Sequence, residues 1–197
     1  MKRATAVRLA TLLLASAAGL SCREPNPTHG VSIGDPQPAA ALKLAAADGA
    51  LFDLAAEKGK TVLVYFGYTH CPDACPTTLS DWAKARRALG SLASKVRFVF
   101  VTVDPERDTP AVAHEYVMRF DSTFVGLATN ADQLEQIKAA WGFAAGKEEM
   151  PGMAHDSYGV MHPAQSFVVD AKGRLIMFFP PGTKAVDIAA DLKELQR

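Results

Sequence analysis

The chain has 197 residues, 49% hydrophobic and 21% charged, which suits one globular domain with additions. Lys plus Arg equals Asp plus Glu, 21 each, so the formal net charge is zero. That argues against an electrostatic nucleic-acid binder, which carries a basic excess.

Residues 1–22 read as a targeting segment. Lys2, Arg3 and Arg8 form a positive start, and Leu9 to Leu20 is an uncharged apolar run. The run is short for a bilayer span but suits the apolar region of an export signal. It ends in Gly19-Leu20-Ser21-Cys22, small residues before a cysteine, which resembles a bacterial lipoprotein processing site with Gly19 where Leu is more usual. Cys22 is then the lipidated first residue of a mature protein held in the cell envelope and facing the periplasm. An ordinary cleaved signal and an uncleaved anchor are the alternatives. Residues 23–38 carry Pro25, Pro27, Pro36 and Pro38 with little apolar periodicity and read as a semi-extended tether.

Residues 39–197 read as the globular domain. Leu42–Leu44 and Leu51–Leu54, separated by Asp48-Gly49, predict a small hairpin. Thr61–Phe66 (TVLVYF) is a continuous apolar run, the pattern of a strand buried on both faces. A loop over 67–74 leads to a helix over Pro76–Leu89, closed by Gly90. Val96–Val103 is a second buried strand, so the unit is βαβ with parallel strands. Thr109-Pro110 starts a helix running to about Phe120. A short strand over Val125–Ala128 and a helix over Ala131–Trp141 follow. Gln165–Val169 and Arg174–Phe179 flank a turn at Asp170–Gly173, and Lys184–Leu195 closes the chain as a helix. A parallel βαβ unit followed by an antiparallel hairpin and a last helix is an α/β, thioredoxin-like plan: a central mixed sheet flanked by helices, here behind an N-terminal signal or anchor.

With Cys22 set aside, Cys71 and Cys75 make one site rather than a disulfide framework. They lie where a buried parallel strand ends and a helix begins, a place where reactive groups collect. Backbone N–H groups and the dipole of a helix start favour thiolates. Three residues separate the pair, whereas redox motifs usually have two. If 71–75 are roughly helical, the Cα atoms lie about 6 Å apart on one face. That span permits either a metal chelate or a disulfide. A plain structural disulfide and inert thiols remain the alternatives. Two soft thiolates select Cu(I), zinc or iron–sulfur clusters. Two are too few for a four-cysteine cluster, and four zinc ligands are not found. Cu(I) accepts three donors. In the thioredoxin plan the loop before the Gln165–Val169 strand faces the cysteine loop, so His162 is the candidate third ligand, with a structural or solvated histidine as the alternative.

Asp104, in Asp104-Pro105-Glu106-Arg107, is either a turn starter or an acid at the site mouth that orients a partner or a site group. Met150, Met153, His155 and Met161 precede His162 and are either soft donors on a copper path or gap-fillers. His70 either tunes Cys71 or has no special task. His29 and His114 receive no role.

Two stretches resemble a known family. Tyr65–Leu79 (YFGYTHCPDACPTTL) is similar to the signature of the Sco/SenC copper proteins, and Val103–Pro110 (VDPERDTP) resembles their second motif. His162, five residues before Phe167, matches their third ligand. The resemblance spans about Ile33 to the C-terminus. It implies a thioredoxin fold, a membrane anchor, and Cu(I) or Cu(II) held by Cys71, Cys75 and His162. It also implies a part in building the CuA centre of cytochrome c oxidase, with subunit II or another envelope copper protein as recipient. The family delivers copper, reduces the target cysteines, or does both. Members often carry an acidic residue just before the histidine; here it is Met161, a thioether that favours the softer ion. The leading reading is thus a metallochaperone rather than an enzyme. A thiol–disulfide oxidoreductase working through Cys71 and Cys75, and a copper or redox sensor, are the alternatives.

Overall fold

The structure, a computed structural model, describes residues 28–149 and 158–197. In chain order it places β1 at Val31–Pro38, a hairpin of β2 (Lys43–Ala45) and β3 (Leu51–Asp53), β4 at Thr61–Gly67 and α1 at Ala74–Leu89. Next come β5 (Val96–Thr102), α2 (Pro110–Met118), β6 (Val125–Ala128) and α3 (Ala131–Trp141). A second hairpin, β7 (Gly146–Glu149) and β8 (Tyr158–Met161), precedes β9 (Ser166–Val169), β10 (Arg174–Phe179) and α4 (Ala185–Glu194).

Six strands form the central sheet in the order β1-β10-β9-β4-β5-β6. β4, β5 and β6 run parallel, while β9, β10 and β1 are antiparallel to their neighbours. The sheet is mixed and its parallel crossovers are helical, so the thioredoxin-like plan expected from the sequence is the observed fold. All seven residues of β4 are buried, which is why that segment carries no polar alternation. Trp82 of α1 packs on Tyr65 and Phe98, and Phe66 packs on Trp141 and Phe167, covering the two faces.

Caps set the helix ends. Thr109 accepts from the Val112 N–H above Pro110, and Asn130 with Gln133 forms a reciprocal capping box on α3. Gly142 ends α3 in the left-handed region at φ 68°.

The structure differs from the sequence reading in three places. Residues 31–38, read as tether, form the edge strand β1, paired to β10 from Val31↔Phe178 to Pro38↔Arg174. All eight residues are exposed, so no apolar alternation betrays the strand, and an edge tolerates Pro36 and Pro38. The register shifts between Ser32 and Gln37, which takes up Gly34 at φ 87°. Second, α1 begins at Ala74, bringing Cys75 into the helix and leaving Cys71 in the preceding turn. Pro76 is harmless in a first turn, where its missing N–H has no partner to lose. Third, β7 and β8 form a separate two-stranded ribbon unforeseen in the sequence.

The start of the described chain is fastened to α4. Asp191, with a side chain 2% exposed, accepts from the backbone N–H groups of Thr28, His29 and Gly30 at 3.0, 3.0 and 2.8 Å. The Thr28 hydroxyl adds a bond at 3.0 Å. Burial raises the Asp191 pKa, but these donors outweigh it and the net shift is downward. Residues 1–22, including Cys22, and 23–27 lie outside the described residues. Among the described residues no helix is long and apolar enough to cross a membrane.

Candidate metal centre

Cys71, Cys75 and His162 converge: one donor atom from each lies within 4.8 Å of the others. Each arrives by a different local rule. Cys75 sits in the first turn of α1 and is fully buried. Behind it is Gly67, the last residue of β4. A Cβ there would lie 2.8 Å from the Cys75 sulfur and 2.9 Å from the Phe100 ring, so only glycine leaves the sulfur its place. Cys71 is half-buried in the turn, its N–H bonded to the Tyr68 carbonyl at 3.3 Å. Its sulfur accepts the Cys75 N–H at 3.4 Å, taking the place of a side-chain cap, since Asp73 at the N-cap makes none.

His162 follows β8. Its Nδ1 lies 3.1 Å from the Pro163 carbonyl, which assigns the ring proton to Nδ1. Nε2 then presents its lone pair to the Cys75 sulfur at 3.8 Å. The imidazole stands edge-on between Tyr65 and Tyr68, with ring centroids 5.8 and 5.6 Å away.

The two thiols are unequal. The hydrogen bond from Cys75 is the largest influence on Cys71, and the N–H groups of Cys75 and Asp73 add to it against burial. The Cys71 pKa is lowered to about 3, so Cys71 is the thiolate of the pair. Cys75 moves the opposite way: the Cys71 thiolate beside it and then burial push its thiol far up. Burial, and then the charge of the sulfurs, also raise the phenols of Tyr65 and Tyr68. The site therefore holds one negative charge and one proton between two sulfurs.

Asp104 is not part of this group. Its N–H-accepting carbonyl closes the turn to Arg107 and Asp108, as the turn reading expected. Its carboxylate, 3% exposed, accepts from Arg107 Nε at 2.5 Å and the Tyr158 hydroxyl at 2.8 Å. Asp108, which the sequence reading passed over inside the same motif, bonds Thr69, two residues before Cys71. His70 turns toward Asp108, with Nδ1 3.6 Å from its carboxylate. Met161 is 52% exposed beside His162, while Met150, Met153 and His155 lie outside the described residues. His29 lies against Asp187 and Asp191 on α4, remote in sequence from the site.

The sequence model of the SCO1/SenC family matches residues 34–197. An SCO2-like protein of Rickettsia felis is 31% identical over 150 residues, covering 74% of this chain and 71% of the relative. Among solved structures, Bradyrhizobium japonicum ScoI with copper bound aligns with a TM-score of 0.72 at 34% identity, over 80% of this chain and 98% of that one. Apo Sco1 from Thermus thermophilus aligns at 0.75 and 34%, over 85% and 96%. With the strand–loop–helix geometry and the Cys–Cys–His group already in place, the match over 34–197 makes this chain a member of the SCO1/SenC family.

Proposed function

We propose that this chain is a copper metallochaperone of the cell envelope, carrying copper as cargo on Cys71, Cys75 and His162. The observation that carries the reading is the convergence of two sulfurs and one imidazole nitrogen within 4.8 Å. The donor set fits the soft ion: two sulfurs and a neutral nitrogen suit three-coordinate Cu(I), and no fourth His, Cys, Asp or Glu joins them among the described residues. The Cys71 charge offsets that of Cu(I), and the Cys75 proton leaves when the metal arrives. The copper-bound Bradyrhizobium relative supports the same cargo. Family resemblance adds the finer reading: delivery to the CuA centre on subunit II of cytochrome c oxidase, or to another envelope copper protein, from a lipid anchor at Cys22.

The test is an anaerobic Cu(I) titration of reduced residues 24–197 against a chromogenic competitor, beside Cys71→Ala, Cys75→Ala and His162→Ala. One tight equivalent is expected, weakened more than about 1000-fold by either cysteine change and about 10- to 100-fold by His162→Ala. No tight equivalent, or binding untouched by His162→Ala, removes the reading.

The inequality of the thiols favours a second reading, a thiol–disulfide oxidoreductase. The half-exposed Cys71 thiolate attacks a target disulfide and releases one target thiolate. Cys75 then attacks the mixed disulfide, frees the second, and leaves Cys71–Cys75 oxidised by two electrons. Reduction of a model disulfide by protein that binds no copper would put this reading first.

A further inference from the structure

The turn 104–108 touches both segments that carry the proposed copper donors. On one side the fully buried Asp108 carboxylate accepts from the Thr69 N–H at 2.9 Å and the Thr69 hydroxyl at 2.6 Å. It also takes the Thr102 hydroxyl at the end of β5, so the cysteine turn is pinned to the sheet. On the other side Arg107 lies over the Tyr158 ring, 3.6 Å from guanidinium carbon to ring centroid. It donates to the Tyr158 carbonyl at 3.2 Å. Asp104 takes the Tyr158 hydroxyl and Arg107 Nε. Tyr158 opens β8, and β8 delivers His162.

The same residues invite a different reading and refuse it. His70, Asp104 and Asp108 place donor atoms within 4.8 Å of one another, as a second metal site would. Yet every carboxylate oxygen there already accepts a protein donor: Tyr158 and Arg107 on Asp104, Thr69 and Thr102 on Asp108. The cluster holds protein to protein.

A two-stranded ribbon is marginal unless something holds it, and β7–β8 lies outside the central sheet. Metal bonds tolerate only about 0.2 Å of error. We infer that the turn 104–108 is a brace that sets the span between the cysteine pair and His162, Asp108 positioning the cysteine turn and Arg107, through Tyr158, positioning the imidazole. The inference rests on the copper reading only in taking copper affinity as one readout. Both residues are positioning residues, acting through the donors and touching no metal.

The experiment is a pair of double-mutant cycles on Cu(I) affinity, with thermal melts of the copper-free variants alongside. Arg107→Met is expected to weaken binding about 10- to 100-fold. Combined with His162→Ala it should weaken binding no further than His162→Ala alone, because its effect passes through the lost imidazole. Asp108→Asn should add in full to His162→Ala, since it acts on the other segment. Copper K-edge absorption of Arg107→Met should show two sulfur scatterers and no nitrogen. Multiplicative effects of Arg107→Met and His162→Ala, or an intact nitrogen scatterer, overturn the brace. If Arg107→Met does not fold, Tyr158→Phe, which removes one hydroxyl, gives the same cycle at about three- to tenfold. If wild type shows no tight site, the copper reading falls and the brace is judged without metal. Nuclear Overhauser contacts between the His162 ring and the Tyr65 and Tyr68 rings should then be present in wild type and lost in Arg107→Met. Their survival there overturns it.

Discussion

The cysteine side of the site stands on β4 and α1, where every residue of the strand is buried and the helix start fixes the sulfurs through its own backbone. The histidine side stands on β7–β8, a ribbon whose first strand is mostly exposed and which meets the rest through buried Val160 of β8 and through side chains of the turn 104–108. The first region is held by packing and main-chain geometry, which tolerate little change. The second adds to the buried side of β8 a few polar contacts, which can be loosened one at a time. Two sulfurs on rigid ground and a nitrogen on a braced arm is an arrangement in which, under the proposed chaperone role, the third donor is the one able to yield when cargo is handed on.

The largest effect expected from this contrast is chemical. An ordinary thiol at about pH 5 is ionised in roughly one molecule in 3000. Cys71, lowered to about 3, keeps its charge as pH falls until that value is approached. Alkylation of Cys71 in the reduced, copper-free protein, followed by peptide mapping, should slow less than about threefold between about pH 8 and pH 5. Buried Cys75 should remain unmodified throughout. A thousandfold decline at Cys71 would show that the helix start does not hold the thiolate.

Next in size is Gly67→Ala. The new methyl meets the Cys75 sulfur and the Phe100 and Tyr65 rings at 2.8, 2.9 and 3.1 Å. Overpacking of this kind costs about 1–3 kcal/mol. A melting temperature lower by roughly 5 °C is expected from calorimetry. An unchanged melt would mean that the cysteine side gives way as readily as the ribbon.

The smallest effect belongs to Met161→Asp on the exposed side of β8. A surface change of this sort is worth within about 0.5 kcal/mol, so the melt should barely move. Cu(I) affinity should change less than about threefold while Cu(II) affinity rises, since a carboxylate suits the harder ion. A tenfold loss of Cu(I) affinity would place the Met161 sulfur among the donors and erase the distinction between a fixed pair and a single arm.

The same contrast decided what could be read from the sequence. TVLVYF and VRFVFVTV announce their strands because burial on both faces removes polar residues, and the βαβ unit with its sulfurs follows directly. His162 was legible through its place before the Ser166–Val169 strand. Val31–Pro38 was not, because an exposed edge strand is written in backbone hydrogen bonds and has no side-chain pattern. Gly146–Glu149 hides for the same reason, its Lys147, Glu148 and Glu149 all exposed. Asp108 and Arg107 lie in the VDPERDTP stretch, whose local pattern marks only the turn at Asp104. Their partners, Thr69 and Tyr158, are 39 and 51 residues away, and local patterns carry no record of such pairings.

The clasp of Asp191 on Thr28, His29 and Gly30 sets a length. With a lipid on Cys22, as proposed, the six Cα–Cα steps from Cys22 to Thr28 reach at most about 20 Å. A domain of this size is itself roughly 30–40 Å across. Such a domain is leashed more closely than its own width, and it meets partners as a disc skating over a surface meets its neighbours. Under that proposed anchor, a search for a membrane-held recipient would be two-dimensional, with an effective concentration set by membrane crowding.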